Sequence, residues 1–131
     1  MTRTVILVED HAPVRALYAE ALRHDGWRVL ERPNAQGLVA LVQREAPDVA
    51  AVVLDWTLPG DSGLVALQAL KRERQTRHVR VIMLTAHSSP TWRAQALAAG
   101  AEQFLQKPLP PPALIAAITT IAPPLATAAT Y

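Results

Sequence analysis

The stretch VAAVVLDWTLPGDSG, residues 49–63, contains a short and unbroken apolar run that ends at an acidic residue. The run, Val49–Leu54, is rich in valine, and Asp55 follows it directly. Runs of this kind are typical of strands in a parallel sheet, because helices cover both faces of such a sheet. The stretch therefore predicts a buried strand with a carboxylate at its carboxyl end.

Four further segments on either side have the composition of strands. Val5–Val8 and Val79–Leu84 are apolar runs of the same kind. Trp27–Leu30 and Glu102–Leu105 are shorter and more polar, which suits strands nearer the edges of a sheet. The chain is therefore predicted to contain five strands, three of them fully buried.

Each gap between these strands, and the segment after the last one, has the spacing of an amphipathic helix. Apolar residues recur there at intervals of three and four, which places them on one helical face. These residues are Val14, Leu17, Tyr18, Ala21 and Leu22, then Leu38, Leu41 and Val42, then Leu64, Leu67 and Leu70, and finally Leu114, Ile115, Ile118 and Ile121 within Ala113–Ile121. The fourth helix is predicted to carry Trp92 and Leu97.

Helix-boundary residues support these assignments. Pro13 suits the first turn of a helix, Asn34 is a candidate N-cap, and Ser89 precedes Pro90 as another N-cap candidate. Gly100 is placed to close the fourth helix. Five strands that alternate with five helices predict a doubly wound α/β fold, with a parallel sheet and right-handed crossovers.

The composition is that of one globular domain. Half of the 131 residues are hydrophobic and the net charge is only +2, so neither a disordered chain nor a strongly basic nucleic-acid-binding domain is indicated. The chain has no cysteine, which excludes disulfides and thiolate zinc sites and favours the cytoplasm. We expect a soluble domain over residues 1–122 and a short flexible tail over 123–131, because two prolines interrupt the last helix.

Acidic residues follow two of the predicted strands. Glu9 and Asp10 come after Val8, and Asp55 comes after Leu54. In the five-stranded order 2-1-3-4-5, ligands bind at the carboxyl ends of the first and third strands, where the strand order reverses. Three carboxylates at that point would repel one another, and a hard cation such as Mg²⁺ removes the repulsion. The sequence therefore predicts a magnesium site.

Two further polar residues lie at the ends of the fourth and fifth strands. Thr85 follows Leu84, and Lys107 follows Gln106. In this topology both strand ends border the same crevice. A hydroxyl and an ammonium group beside the carboxylates would complete a set of groups able to bind phosphate.

Four segments together resemble the response-regulator receiver family of two-component signal transduction. They are VILVEDH at 5–11, VVLDWTLPGDSG at 52–63, VIMLTAH at 81–87 and FLQKP at 104–108. Their order, spacing and strand-end positions are those of the family, and the resemblance extends to about Ile121. It implies a CheY-like, flavodoxin-like fold and a phosphoryl-accepting signalling domain rather than a conventional enzyme, with self-catalysed phosphotransfer and dephosphorylation.

The resemblance also assigns roles around the acidic cluster. Asp55 looks like the phosphoacceptor, which takes its phosphoryl group from a phosphohistidine. Glu9 and Asp10 look like the acidic pair that binds Mg²⁺ together with Asp55, and Thr57 looks like the residue whose backbone carbonyl supplies another ligand. Glu9 departs from the commoner aspartate and lengthens one arm of the site, so an altered metal affinity is expected.

Lys107, Thr85 and Phe104 are assigned by resemblance to the response that follows phosphorylation. Lys107 is implied to pair with Asp55 and a phosphoryl oxygen, and Thr85 to turn its hydroxyl toward the phosphoryl group. Phe104 occupies the aromatic switch position without the hydroxyl of the more frequent tyrosine. Trp56, Thr57 and His87 occupy positions that influence phosphoryl lifetime in the family.

The same resemblance implies the partners. We expect a sensor histidine kinase or a histidine phosphotransfer protein upstream, and a protein target that binds the surface of the fourth helix, fifth strand and fifth helix. Homodimerisation through that surface is a further hypothesis. The basic stretch Lys71–Arg80 is interrupted by Glu73 and is interpreted as a solvated surface, so no direct nucleic-acid or membrane contact is expected. The chain could equally be part of a larger regulator or hybrid kinase.

Three alternatives to a phosphorylated receiver domain remain. A haloacid-dehalogenase-type phosphatase also uses Asp and Mg²⁺, but its motif needs a second aspartate where Thr57 stands. A flavodoxin-like FMN protein would have a phosphate-binding loop where Glu9 and Asp10 stand. A receiver-like scaffold that works without phosphorylation would be expected to lack one of the key residues.

Overall fold

The structure, a computed structural model, describes residues 3–87 and 89–122. Its sheet has five parallel strands: β1 Thr4–Val8, β2 Arg28–Arg32, β3 Val49–Asp55, β4 Val81–Thr85 and β5 Gln103–Gln106. They lie side by side in the order β2-β1-β3-β4-β5. The predicted strand order is thus confirmed, and the two more polar strands lie at the edges.

Five helices cover the two faces of the sheet: α1 Ala12–His24, α2 Leu38–Glu45, α3 Gly63–Arg72, α4 Pro90–Ala98 and α5 Pro111–Ile121. A short 3-10 helix, Ala46–Asp48, leads from α2 into β3. Alternate residues of the central strands point to opposite faces. Val5 and Leu7 pack with α1 and α5, whereas Ile6 and Val8 pack with α2, α3 and α4. The doubly wound α/β class is confirmed.

Three strands begin later than predicted. Val79 precedes β4 because its N–H donates to the Thr76 carbonyl in a turn. Trp27 precedes β2 because its N–H donates to Leu22 O and closes α1. Glu102 precedes β5, although its N–H donates to Val81 O. Apolar or β-prone composition continues into the turn residues, so it does not mark the first residue that pairs in the sheet.

Three of the four predicted helix-boundary residues agree with the structure and one does not. In addition, α5 begins at Pro111 rather than at the predicted Ala113, because proline is tolerated in the first turn of a helix. Pro13 lies in the first turn of α1, Ser89 caps α4, and Gly100 follows α4 with a φ of 108°. Asn34 does not cap α2, so that prediction is wrong. Its Oδ1 accepts the Gln36 N–H at 2.9 Å in a separate turn, and α2 begins only after Gly37, whose φ is 71°.

The Ser89 cap leads to a prediction for stability. Its Oγ accepts the Trp92 N–H at 3.3 Å, and replacing such a cap by alanine typically costs about 1 kcal/mol. Ser89→Ala is therefore expected to lower the free energy of unfolding in urea by about 1 kcal/mol. Ser89→Asp, which can still accept the hydrogen bond, should retain most of the stability of the parent. Equal stability of Ser89→Ala and the parent would contradict the assigned role.

No helix within residues 3–87 and 89–122 combines the length and apolar character that crossing a membrane would require. The proposed tail, residues 123–131, lies outside the described residues.

Candidate functional site

The carboxyl ends of four adjacent strands meet at one edge of the sheet. Val8 at the end of β1 is paired in register with Leu54 of β3, so Glu9 and Asp55 follow side by side. Asp55 is in turn paired with Leu84 of β4. Thr85 is paired with Gln106 of β5, the residue before Lys107. The strand order therefore brings all four chain segments named from the sequence to the same place.

Three carboxylates form a compact cluster at this edge. Glu9, Asp10 and Asp55 each offer one oxygen, and these oxygens lie within 4.8 Å of one another. Glu9 and Asp55 are buried, with 1% and 5% of their surface exposed, whereas Asp10 is exposed. A cluster of oxygen donors with one open side suits a hard divalent cation that keeps part of its water shell.

Lys107 joins two of these carboxylates. Its Nζ donates to Glu9 Oε1 at 2.5 Å and to Asp55 Oδ2 at 2.8 Å. Burial alone lowers the pKa of Lys107, but the hydrogen bonds and charges of Asp55 and Glu9 together outweigh it and raise that pKa above its ordinary value. Lys107 is therefore a firmly protonated cation beside Asp55. The resemblance to the family implied the pair with Asp55, but sequence analysis did not predict the bond to Glu9.

The start of α3 packs directly against the backbone of Asp55. The Gly63 N–H donates to the Trp56 carbonyl at 2.7 Å. A Cβ added to Gly63 would lie 2.2 Å from the Asp55 carbonyl oxygen and 2.8 Å from Trp56 Cα. Only glycine fits at this contact. The Asp55 side chain is oriented from the same loop, because its Oδ1 accepts the Thr57 N–H at 3.1 Å.

Glu9 is held at its backbone as well as at its carboxylate. Its N–H donates to Arg32 O in β2 at 3.0 Å, and its carbonyl accepts Arg15 Nη1 at 2.8 Å. Its Oε2 accepts the His11 N–H at 3.1 Å. Sequence analysis missed Arg15, because the acceptor is a main-chain carbonyl. The only signal was a basic residue early in the helix that follows the acidic pair.

Thr85 lies at the same sheet edge, and Phe104 packs nearby. Thr85 is buried, and its Oγ1 accepts the His87 N–H at 3.0 Å. Phe104 is 8% exposed, and its ring packs edge-on against Trp56 with centroids 6.1 Å apart. The aromatic ring thus lies in an inward position in this structure.

A tryptophan of α4 packs against the residue that follows Asp55. Trp92 stacks on Trp56 with ring centroids 4.4 Å apart and planes 11° from parallel. The His87 ring lies 4.8 Å from Trp92 on the same side of the molecule. Sequence analysis placed Trp92 in a helix but did not connect it with the site.

Two other features singled out from the sequence are Thr57 and the basic stretch Lys71–Arg80. Thr57 is exposed, and the described contact with Asp55 uses its backbone N–H. In the basic stretch, Lys71 Nζ turns inward and donates to the carbonyls of Arg77 and Val79 at 3.0 and 2.6 Å. Burial lowers the pKa of Lys71. Arg72 and Arg74 are exposed, as expected of a solvated surface.

The family model for the response regulator receiver domain matches residues 5–119. Among curated proteins, the phosphate regulon transcriptional regulatory protein PhoB of Escherichia coli is 36% identical over 121 residues, 92% of this chain and 52% of that protein. The probable transcriptional regulatory protein TcrX of Mycobacterium tuberculosis is 34% identical over 105 residues, 80% of this chain and 43% of that protein. The chain thus spans about half the length of these relatives.

Solved structures have the same fold. Chemotaxis protein CheY4 of Vibrio cholerae superposes with a TM-score of 0.84 at 22% identity, covering 92% of this chain and 99% of that one. The signal receiver domain of a LuxO repressor protein from Vibrio parahaemolyticus gives 0.82 at 25% identity, covering 92% and 89%. With the family match across most of the chain, the carboxylate cluster at the strand ends and this fold, the chain belongs to the response regulator receiver domain family, the signalling domain of two-component systems.

Proposed function

We propose that the chain accepts a phosphoryl group on Asp55 in a Mg²⁺-dependent reaction and signals through a change of conformation. The donor would be the phosphohistidine of a sensor histidine kinase or of a histidine phosphotransfer protein. The observation that carries the proposal is the group of three carboxylates within 4.8 Å, with the Lys107 amine 2.8 Å from Asp55 Oδ2. A carboxylate that could act as the nucleophile, a group of oxygen donors that could hold a cation and a positively charged amine lie together there.

The donor set fits magnesium. Its protein ligands are all oxygens, and one of the three carboxylates, Asp10, is open to solvent, which suits an ion that retains water. Glu9, Asp10 and Asp55 would hold the ion, and the Thr57 carbonyl is proposed as a further ligand. When bound, Mg²⁺ would neutralise charge between the Asp55 carboxylate and the incoming phosphoryl oxygens.

The residues of the chain would then carry out the transfer. An Asp55 oxygen attacks phosphorus, the N–P bond of the phosphohistidine breaks, and the imidazole nitrogen keeps the electron pair. Lys107 donates to Asp55 Oδ2 before the reaction and would bind a phosphoryl oxygen afterwards. Attack of water on the resulting acyl phosphate would release inorganic phosphate and regenerate the carboxylate, which is the proposed self-catalysed reversal.

Thr85 and Phe104 are proposed to transmit the phosphorylation of Asp55 to the surface of the protein. The Thr85 oxygen accepts one bond from His87 N–H, and the Thr85 hydroxyl, which can donate as well as accept, would donate to a phosphoryl oxygen. Such a bond would favour one conformation of the β4–α4 loop and the inward ring of Phe104. The α4–β5–α5 surface would then change its affinity for a protein target or for a second copy of the chain.

The proposed setting is the cytoplasm, with protein partners on both sides of the signal. Direct contacts of this chain with nucleic acid or with membranes are not proposed. Two of the similar proteins are transcriptional regulators by name, and another is the histidine kinase P4 of Formosa agariphila, of which the chain matches 7%. The output of a larger protein that contained this domain would depend on the other domains joined to it.

The direct test is chemical labelling. The chain is incubated with Mg²⁺ and acetyl phosphate, and its intact mass is compared with that of Asp55→Ala. We expect one phosphoryl adduct on the parent, none on Asp55→Ala, and none on the parent when EDTA removes Mg²⁺. Asp61→Ala serves as the control, because Asp61 is an exposed acidic residue of the same loop region outside the cluster. Equal labelling of Asp55→Ala would reject the proposed acceptor.

A further inference from the structure

The backbone of Glu9 is tied to β2 by two separate connections. Its N–H donates directly to Arg32 O at 3.0 Å. Its carbonyl is linked through Arg15, which donates from Nη1 to Glu9 O at 2.8 Å and places Nε 3.5 Å from Glu31 Oε1. Glu31 lies one residue before Arg32 in β2. An edge strand thus holds the backbone of the loop that presents Glu9 and Asp10.

Both connections restrict the direction in which the acidic pair points. Glu9 and Asp10 immediately follow β1 and precede α1, so no ladder of the sheet holds Asp10. A hydrogen bond from a charged guanidinium to a carbonyl is stronger than a neutral one. The bond is partly shielded, since the Arg15 side chain is 21% exposed and that of Glu31 30%. Rotation of the peptide group between Glu9 and Asp10 would break this bond and reorient the backbone that carries the two carboxylates.

We propose that Arg15 is a positioning residue for the cation site, acting through the Glu9 carbonyl, and that Glu31 holds Arg15 in place. This inference rests on the proposed function, because it concerns the affinity of the Glu9–Asp10–Asp55 cluster for a divalent ion. A guanidinium can reach the carbonyl with one nitrogen and the carboxylate with another. A lysine has one donor nitrogen, which cannot occupy both of the positions that Nη1 and Nε of Arg15 hold in front of the two acceptors.

The positioning role of Arg15 and its positive charge predict opposite effects of Arg15→Ala on cation binding. The positive charge of Arg15 by itself disfavours a second cation nearby, and Glu31 neutralises it only in part. If charge dominated, Arg15→Ala would bind the ion more tightly. If positioning dominates, Arg15→Ala binds it more weakly, as removal of groups that orient metal ligands commonly weakens binding by about 10-fold or more.

The chain offers a closely matched control in Arg23. Arg23 also donates to Glu31, from Nη1 to Oε2 at 2.9 Å, and also donates to a carbonyl, from Nη2 to Val29 O at 2.9 Å. It lies two turns further along α1. Arg15→Ala and Arg23→Ala therefore remove the same kinds of bonds, and only the first touches Glu9.

The experiment measures Mn²⁺ binding to the full chain from the electron paramagnetic resonance signal of the free ion, with Mg²⁺ as competitor. We expect Arg15→Ala to raise the dissociation constant about 10-fold, Arg15→Lys to raise it as well, and Arg23→Ala to leave it unchanged. Urea unfolding of the same variants monitors stability. A merely structural role for Arg15 would lower stability in both alanine variants without changing the dissociation constant in either.

The outcomes separate this inference from the proposed function. If the parent binds the ion and Arg15→Ala binds it equally or more tightly, the positioning role is wrong and the proposed function stands. If Arg23→Ala weakens binding as much as Arg15→Ala, the effect belongs to Glu31 and the helix rather than to the Glu9 carbonyl, which also overturns the inference. If the parent binds neither Mn²⁺ nor Mg²⁺, the proposed cation site fails and the inference falls with it.

Discussion

Gly63→Ala is expected to destabilise the protein by about 3 kcal/mol and to prevent phosphorylation of Asp55, because the three atoms nearest the added methyl group all belong to the backbone. The nearest atoms are the Asp55 carbonyl oxygen at 2.2 Å, Trp56 Cα at 2.8 Å and the Asp55 carbonyl carbon at 2.9 Å. A side chain could rotate away from such a contact, but a main chain must move. Either α3 or the end of β3 must therefore shift, and Asp55 with it.

The measurements are urea unfolding and the yield of phosphoryl adduct from acetyl phosphate. Gly60→Ala is the control, since Gly60 lies in the loop just before α3 and a Cβ there meets nothing within 4 Å. Its φ of 77° makes alanine there cost about 1 kcal/mol for conformational reasons alone. Its adduct yield should stay close to that of the parent. If Gly63→Ala matched Gly60→Ala in both measurements, the close approach of α3 would not control the site.

Lys107→Met is expected to make the stability of the protein strongly dependent on Mg²⁺. Within the described part of the chain, Lys107 is the side chain that forms ion pairs with both Glu9 and Asp55. Without it, buried carboxylates lie close together with no cation, and loss of one partner of a buried ion pair is costly. Asp10 is exposed, so one of the three carboxylates stays solvated and the destabilisation is moderate. Without Mg²⁺ we expect the free energy of unfolding to fall by about 2 kcal/mol, and saturating Mg²⁺ should restore most of it.

The same variant should accept the phosphoryl group about 100-fold more slowly, because a preorganised positive charge is missing at the reacting group. Urea unfolding with and without Mg²⁺, together with initial rates of adduct formation, provides the measurements. Lys71→Met is the matched control, since Lys71 is also partly buried but donates to loop carbonyls away from the cluster. It should lower stability without changing the rate or the response to Mg²⁺. A Lys107→Met variant with unchanged rate would contradict the role of Lys107.

The sequence was sufficient to predict the strands and the region of the site, because both depend on local patterns combined with one topological rule. Buried parallel strands require unbroken apolar runs, and Val5–Val8 and Val49–Leu54 have this composition. Once the order β2-β1-β3-β4-β5 is assumed, the residues after β1 and β3 must lie side by side. Glu9 and Asp55 could therefore be placed together before any distance was known.

Prediction was poorer where a contact joins distant parts of the chain or uses a main-chain atom. The Trp56–Trp92 stack depends on how α4 packs against the loop after β3, which no short pattern encodes. Arg15 binds a carbonyl, and every residue offers one, so the identity of the partner is invisible in sequence. Asn34 was wrongly assigned as a cap because Asn favours turns and N-caps alike.

The sequence by itself determined the doubly wound fold and the place of the acidic cluster in it, since periodicity and strand-end residues are properties of short segments. Only the tertiary structure decided which partner each group binds: that Lys107 joins Glu9 as well as Asp55, that Gly63 touches the Asp55 backbone, and that Arg15 holds the Glu9 peptide. These contacts depend on separations of a few ångströms between segments far apart in the chain, and such separations are set by packing of the whole core.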